Sequence, residues 1–236
     1  MGLFDALTKK VTVDITPQPI QQIQPQAPQY TLLPPESVQI HKAPIVAGNI
    51  NAIKTDCYAL HFETTGTFAF GDPAKPSTSM ITAIKCARFK NMQMVDCFCT
   101  FINPQRPIPQ AASNASGITD QMVLNAPTIA QAFPFFINYF KDALNGTIVL
   151  CYNGEFNGDF LQITMRRQML PGEVRIFDVM KLADKKLRMS GYPTMKQAMK
   201  AMNIKDRELN SDIHKCSVTA ALAFSLVDVP DNSVEV

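Results

Sequence analysis

Tryptophan is absent from this chain of 236 residues, and histidine occurs three times. Any imidazole chemistry therefore rests on His41, His61 or His214. The six cysteines (57, 86, 97, 99, 151 and 216) form no Cys-x-x-Cys pair and fall mostly in apolar segments. That pattern excludes a zinc knuckle or disulfide frame and suits reduced core thiols. No apolar run approaches the ~18 to 20 residues that cross a bilayer, and the N-terminus lacks a signal peptide's apolar core and cleavage site. Ala6 stands where a myristoylation sequence has Ser or Thr. A cytoplasmic protein without a membrane partner is expected.

What is present suits one α/β domain with an extension. A chain 46% hydrophobic buries a sizeable core. Residues 1–55 read as a Pro/Gln-rich tail or tether: Leu3, Phe4 and Leu7 make a short amphipathic turn. From 11 to 55, Pro17, Pro19, Pro25, Pro28, Pro34, Pro35 and Pro44 oppose a helix or central strand. The domain is expected over 56–228, with a C-terminal tail over 229–236.

Tyr58, Leu60 and Phe62 alternate with Ala59, His61 and Glu63, so one strand face is apolar and the other presents His61 and Glu63 together. A plain edge strand with a solvated face shows the same alternation. Residues 80–89 and 93–101 read as a hairpin turning at 90–92, and 104–116 as irregular. Thr119 is placed to cap a short helix anchored by Met122. Thr128 to Leu144 is the longest helical pattern, its Phe cluster facing the core, and Asn145-Gly146 stops it. A buried strand at 147–151 precedes a helix over 154–169 and a strand at 174–177. Helices are expected at 180–189, 194–202 and 214–227. The net charge is +2. Ten Lys and Arg between 164 and 205 (166, 167, 175, 181, 185, 186, 188, 196, 200 and 205) face three acids (173, 178 and 184), a surplus able to steer a polyanion or form a solvated helical face.

Four segments in order resemble the DnaQ-like exonucleases of the DEDDh group, which have a ribonuclease H-like fold. His61-Phe62-Glu63-Thr64-Thr65-Gly66 is similar to that family's Asp-x-Glu-Thr-Thr-Gly, and Ser116-Gly117-Ile118-Thr119 to its His-Gly-Ile-Thr. Tyr152-Asn153-Gly154-Glu155-Phe156-Asn157-Gly158-Asp159-Phe160-Leu161 resembles His-Asn-x-x-Phe-Asp-x-x-Phe-Leu, and His214 to Ala220 resembles His-x-Ala-x-x-Asp-Ala. Residues 177–183 resemble the family's Asp-Thr-x-x-Leu-Ala segment. The resemblance implies a mixed β-sheet flanked by helices.

It also implies four carboxylates holding two divalent metals, with a histidine as general base. Those carboxylate positions are His61, Glu63, Asn157 and Thr219 here, and the base position is His214. Only Glu63 is acidic. Magnesium and manganese prefer anionic oxygen, so the resemblance implies a vestigial catalytic pair, Glu63 and His214, and no bound cofactor; Mg2+ or Mn2+ enters only if residual 3'-5' exonuclease activity persists. Asp159 should point away from the site, Asp212 should cap the last helix, and Glu155 is the nearest replacement acid. The retained pattern implies binding of single-stranded DNA or RNA ends through Thr64, Thr65, Gly66, Ile118, Asn153 and Phe156. Two alternatives are a protein-interaction module tethered by its N-terminal tail, and altered catalysis with His61, Glu63 and His214 holding one transition metal.

Overall fold

The strand carrying His61 and Glu63 has a hydrogen-bonded neighbour along each edge, which makes it an interior strand and overturns the plain edge-strand reading. It is β2 (Asp56–Thr64) in the computed structural model, which describes residues 32–189, 191–205 and 213–229. Before it come β1 (Val38–Lys42) and α1 (Ala47–Thr55); after it come β3 (Ile81–Lys90) and β4 (Gln93–Phe101). Helices α2 (Gln110–Ser116), α3 (Asp120–Val123), α4 (Ile129–Tyr139) and α5 (Lys141–Leu144) lead to β5 (Ile148–Cys151). Then follow α6 (Gly154–Arg167), β6 (Gly172–Asp178), α7 (Val179–Leu187), α8 (Met195–Ala201) and α9 (His214–Leu226).

The sheet order is β1-β6-β5-β2-β3-β4. β1, β6, β5 and β2 run parallel, whereas β2-β3-β4 is an antiparallel meander. Alternation along β2 sends Tyr58, Leu60 and Phe62 into one core layer with Phe133, Phe136 and Phe140 of the α4 region and Phe160 and Leu161 of α6. Cys57 and Ala59 go into the other, with Val179 and Leu182 of α7 and Cys216, Val218 and Leu222 of α9. Burying each Phe or Leu fully contributes roughly 1.5–3 kcal/mol, so this central strand anchors both layers. The mixed sheet flanked by helices is the expected architecture.

The expected tail is corrected at its C-terminal end. The described residues begin at 32, and residues 38–42 pair in parallel with 172–176 of β6. Gln162 of α6 donates to the Val38 carbonyl at 2.7 Å, and Arg166 donates to the Leu33 carbonyl at 2.8 Å. Pro34, Pro35 and Pro44 flank this strand and do not interrupt it, and at a sheet edge one side of the backbone needs no partner. The expected turn at 1–10, most of the Pro/Gln-rich stretch, Asp212 and the end of the C-terminal tail lie outside the described residues.

Smaller corrections follow from local geometry. Residues 110–116 are helical, ending at Gly117 with φ 74°. Thr119 occupies the cap position of α3 without a side-chain cap bond, and Val123, not the half-exposed Met122, is buried. Asp120 instead accepts from the Ile108 amide. The 128–144 helix divides at Phe140, while Thr128 and Gln131 form its capping box. Of the ten cations between 164 and 205, Arg166, Arg167, Arg175 and Lys186 hold Leu33, Gly71, Asn49 and Val229. They act as staples, which reduces the surplus available to a polyanion. No helix among the described residues is long and apolar enough to cross a membrane.

Candidate functional site

β2 delivers His61 and Glu63 to the floor of a cleft of about 340 Å³ between the strand's C-terminal end, α2, Phe156 of α6 and Lys215 of α9. Pleating puts both side chains on the α9 face. Cross-strand pairing places Lys85 of β3 opposite His61, on that same face. Lys215 arrives from the first turn of α9.

These groups converge on one carboxylate. Glu63 is 6% exposed. Its Oε1 accepts from Lys215 Nζ at 2.7 Å, with Lys85 Nζ at 3.6 Å and His61 Nε2 at 3.3 Å. The His61 contact is close, but Nε2 is not aligned for a hydrogen bond and has no partner. Burial is the largest influence on His61 and holds its pKa below the ordinary range despite the neighbouring carboxylate. For Glu63, burial opposes ionisation, but His61 and Lys215 outweigh it and lower the pKa to about 2. Lys215 Nζ, at 2.7 Å, is the cationic group closest to this carboxylate. The carboxylate is thus ionised and already paired.

Asn157 is fully buried and closed off in a different way. Its Oδ1 accepts from the Phe62 amide at 3.0 Å, and its Nδ2 donates to the carbonyls of Tyr152 at 3.3 Å and Asn153 at 3.0 Å. The reverse amide orientation would set NH2 against the Phe62 N–H and oxygen against two carbonyls, so the network fixes the assignment. The side chain pins the first turn of α6 to β2. A carboxylate there would remove the donor to the Tyr152 carbonyl, whereas the Asn153 carbonyl also accepts the Asn157 backbone N–H at 3.3 Å.

Thr219 lies four residues after Lys215, on the same helix face, and donates its hydroxyl to the Lys215 carbonyl at 2.7 Å. His214 is half-buried at the first residue of α9. His61 and Glu63 meet, but no group of three or more His, Cys, Asp or Glu among the described residues is arranged to hold a metal ion, so His214 does not complete a three-ligand set. Glu155 and Asp159 line a separate cavity beside β1, which places Glu155 away from the cleft.

The residues expected to contact nucleic acid divide in two. Thr64, Thr65, Gly66 and Phe156 line the cleft. Thr65 holds the Met80 amide, and a Cβ at Gly66 would lie 2.7 Å from Ser79 Oγ, so glycine permits the close approach of these strands. Ile118 is 2% exposed and packs with Ala83, Ile108 and Val123. Asn153, at φ 67°, caps α6 by accepting from the Phe156 amide. These two support the cleft from behind. Tyr152 donates to the Pro193 carbonyl at 2.7 Å, and Ser116 links Ala112 to Ile118. Lys85 and Lys215 escaped the sequence reading. A lone lysine within the apolar run of β3 was the available signal, since a buried cation requires a partner.

A magnesium or manganese ion does not fit this donor set. One carboxylate is available and carries an ammonium group at hydrogen-bond distance. The Asn157 amide is spent on backbone groups and the Thr219 hydroxyl on its own helix. Hard divalent cations require several oxygen ligands, preferably anionic.

The parallel-then-meander sheet, with its cleft at the end of β2, defines an α/β domain of the ribonuclease H-like, DnaQ exonuclease type. Residues 59–215 match the RNase T exonuclease family, and the chain belongs to that family. It is 30% identical over 141 residues to a PolC-type DNA polymerase III of Caldanaerobacter subterraneus subsp. tengcongensis, covering 59% of this chain and 9% of that polymerase. It is also 29% identical over 153 residues to a putative bifunctional exonuclease/endonuclease of Mycobacterium tuberculosis, covering 64% and 23%. The chain thus spans a small fraction of these relatives.

Among solved structures, it is similar to the nuclease domain of 3'hExo, a DEDDh family member bound to rAMP, with a TM-score of 0.57 and 16% identity, covering 73% of this chain and 91% of that one. Exonuclease X in complex with 5' overhanging duplex DNA matches with a TM-score of 0.53 and 20% identity, covering 72% and 90%. At these identities the likeness shows the fold. β1 and α1 precede the family match.

Proposed function

We propose that this protein is an exonuclease-fold binder of single-stranded nucleic-acid ends that does not cut by the two-metal route. One observation carries this reading: the only carboxylate among the four motif positions is held by Lys215 at 2.7 Å. A divalent ion would have to displace that ammonium and then find its remaining ligands among neutral groups already bonded elsewhere. The cleft itself is kept, with Thr64, Thr65, Gly66 and Phe156 along it. Structural neighbours crystallised with rAMP or DNA support nucleic acid as the occupant.

The test is degradation of a 3'-end-labelled single-stranded oligonucleotide in Mg2+, Mn2+ and Zn2+, beside anisotropy binding of the same strand at low salt. Binding without shortening is expected. Cutting that Glu63→Ala abolishes would make the protein an active exonuclease, and absence of binding at low salt would remove nucleic acid from the proposal.

A second reading, a protein-interaction module, draws on β4. This edge strand exposes Met94, Val95 and Phe101, and nearby Phe135 is 72% exposed. Such an edge offers unpaired backbone and apolar side chains to a partner chain. A protein ligand captured by the full chain, and lost on charging Val95 and Phe135, would favour this reading.

A further inference from the structure

The misfit with a metal ion has a positive side, which rests on the nucleic-acid reading above. Lys215 both pairs with Glu63 and lines the cleft, its side chain 34% exposed. An ammonium has three N–H donors, and Glu63 takes one, leaving two for a ligand. Lys85 adds a second ammonium group behind it, so two ammonium groups surround one buried carboxylate and the three together carry a net charge of about +1. The first turn of the 13-residue α9, whose backbone N–H dipoles favour anions, holds Lys215 at this point. His61, also on the cleft wall, has an Nε2 without a hydrogen-bond partner. A floor of this sign repels a divalent cation and attracts a phosphate.

We infer that the cleft holds a phosphate group of a nucleic-acid end directly on the Lys215 ammonium, without a metal ion between protein and phosphate. Glu63 then acts as a positioning residue: its ionised carboxylate fixes Lys215 at the cleft floor and keeps the side chain from swinging into solvent. Lys85 supports the same phosphate through its charge. No bond is made or broken in this role.

The experiment titrates the full chain with a fluorescein-labelled single-stranded oligonucleotide and with AMP, each in EDTA and in Mg2+ at low salt, with inorganic phosphate as competitor. Proteins compared are the unaltered chain, Lys215→Arg, and the double variant Glu63→Gln with Lys215→Gln, which removes both partners of the pair together and leaves Lys85 in place. Equal binding in EDTA and Mg2+ is expected, with displacement by phosphate. Retention within about threefold is expected in Lys215→Arg, and roughly tenfold or greater weakening in the double variant, the scale of a lost charged hydrogen bond.

Binding that requires Mg2+, or that is undiminished in a folded double variant, overturns the inference while the nucleic-acid reading stands. Absence of oligonucleotide binding under every condition removes both. AMP binding without oligonucleotide binding assigns the site to free nucleotides and overturns the nucleic-acid reading. The comparison of EDTA with Mg2+ uses the unaltered chain, so it decides the matter even if the double variant fails to fold.

Discussion

Glu63 and Asn157 occupy two positions where the family pattern has carboxylates, and each is unavailable to a metal for a different reason. At Glu63 the acid is kept and its charge is answered from α9 by an ammonium that still faces the cleft. At Asn157 the acid is gone, and the amide's donors and acceptor are absorbed by three backbone groups away from solvent. The first arrangement is electrostatic and open to a ligand; the second is structural and closed. Introducing an acid therefore has different meanings at the two places: position 63 already has one paired with an ammonium, whereas at position 157 it would displace the donor to the Tyr152 carbonyl.

The largest expected effect tests the closed position. Asn157→Asp should lower the unfolding free energy by roughly 3 to 5 kcal/mol in urea titration, since a buried carboxylate would be set against the Tyr152 and Asn153 carbonyls and the Tyr152 carbonyl would lose its side-chain donor. A loss below about 1 kcal/mol would show that the amide network is not what holds α6 to β2. Under the proposed reading, this substitution by itself should not produce metal-dependent cutting.

The open position should reveal itself through pH. The Glu63 pKa is about 2 in the folded chain against an ordinary 4.5. Its ionised form therefore favours folding above pH 4.5, and that contribution fades as pH falls through about 2. Glu63→Gln should lack that part of the acid slope, and stability curves of the two proteins that run parallel from pH 5 to 2 would contradict the pairing described here.

Two smaller changes probe the surroundings. Gly66→Ala should cost about 1–3 kcal/mol and weaken cleft binding, because the added Cβ meets Ser79 Oγ at 2.7 Å. A thermal melt unchanged by the substitution would mean that Ser79 moves freely. Tyr152→Phe removes the hydroxyl bond to the Pro193 carbonyl and should cost about 0.5–1.5 kcal/mol. Because the Tyr152 carbonyl also receives Asn157, combining Tyr152→Phe with Asn157→Asp in a double-mutant cycle measures how far the closed site extends.

Much of the fold was legible because it depends on local patterns. Alternation placed β2 and the β3-β4 hairpin, whose turn residues Asn91 and Met92 both adopt positive φ. A continuous apolar run placed β5, and helical spacing placed the Phe cluster, with Phe133, Phe136 and Phe140 fully buried. β1 was not legible: five residues between prolines carry little periodicity, and their strand character comes from β6 and from the side chains of Gln162 and Arg166.

At the site, the resemblance in the sequence assigned three of the four family acid positions to His61, Asn157 and Thr219, and alternation by itself put His61 and Glu63 on one strand face. Sequence order also determined the family, through motifs whose spacing survives without a structure. Only the tertiary structure decided what those residues do now. Lys215 lies 152 positions from Glu63, and the Asn157 side chain bonds to the backbone of Phe62, 95 positions away. Charge pairing and hydrogen-bond saturation are properties of groups brought within about 3 Å of one another, and that proximity is created by packing α6 and α9 against β2.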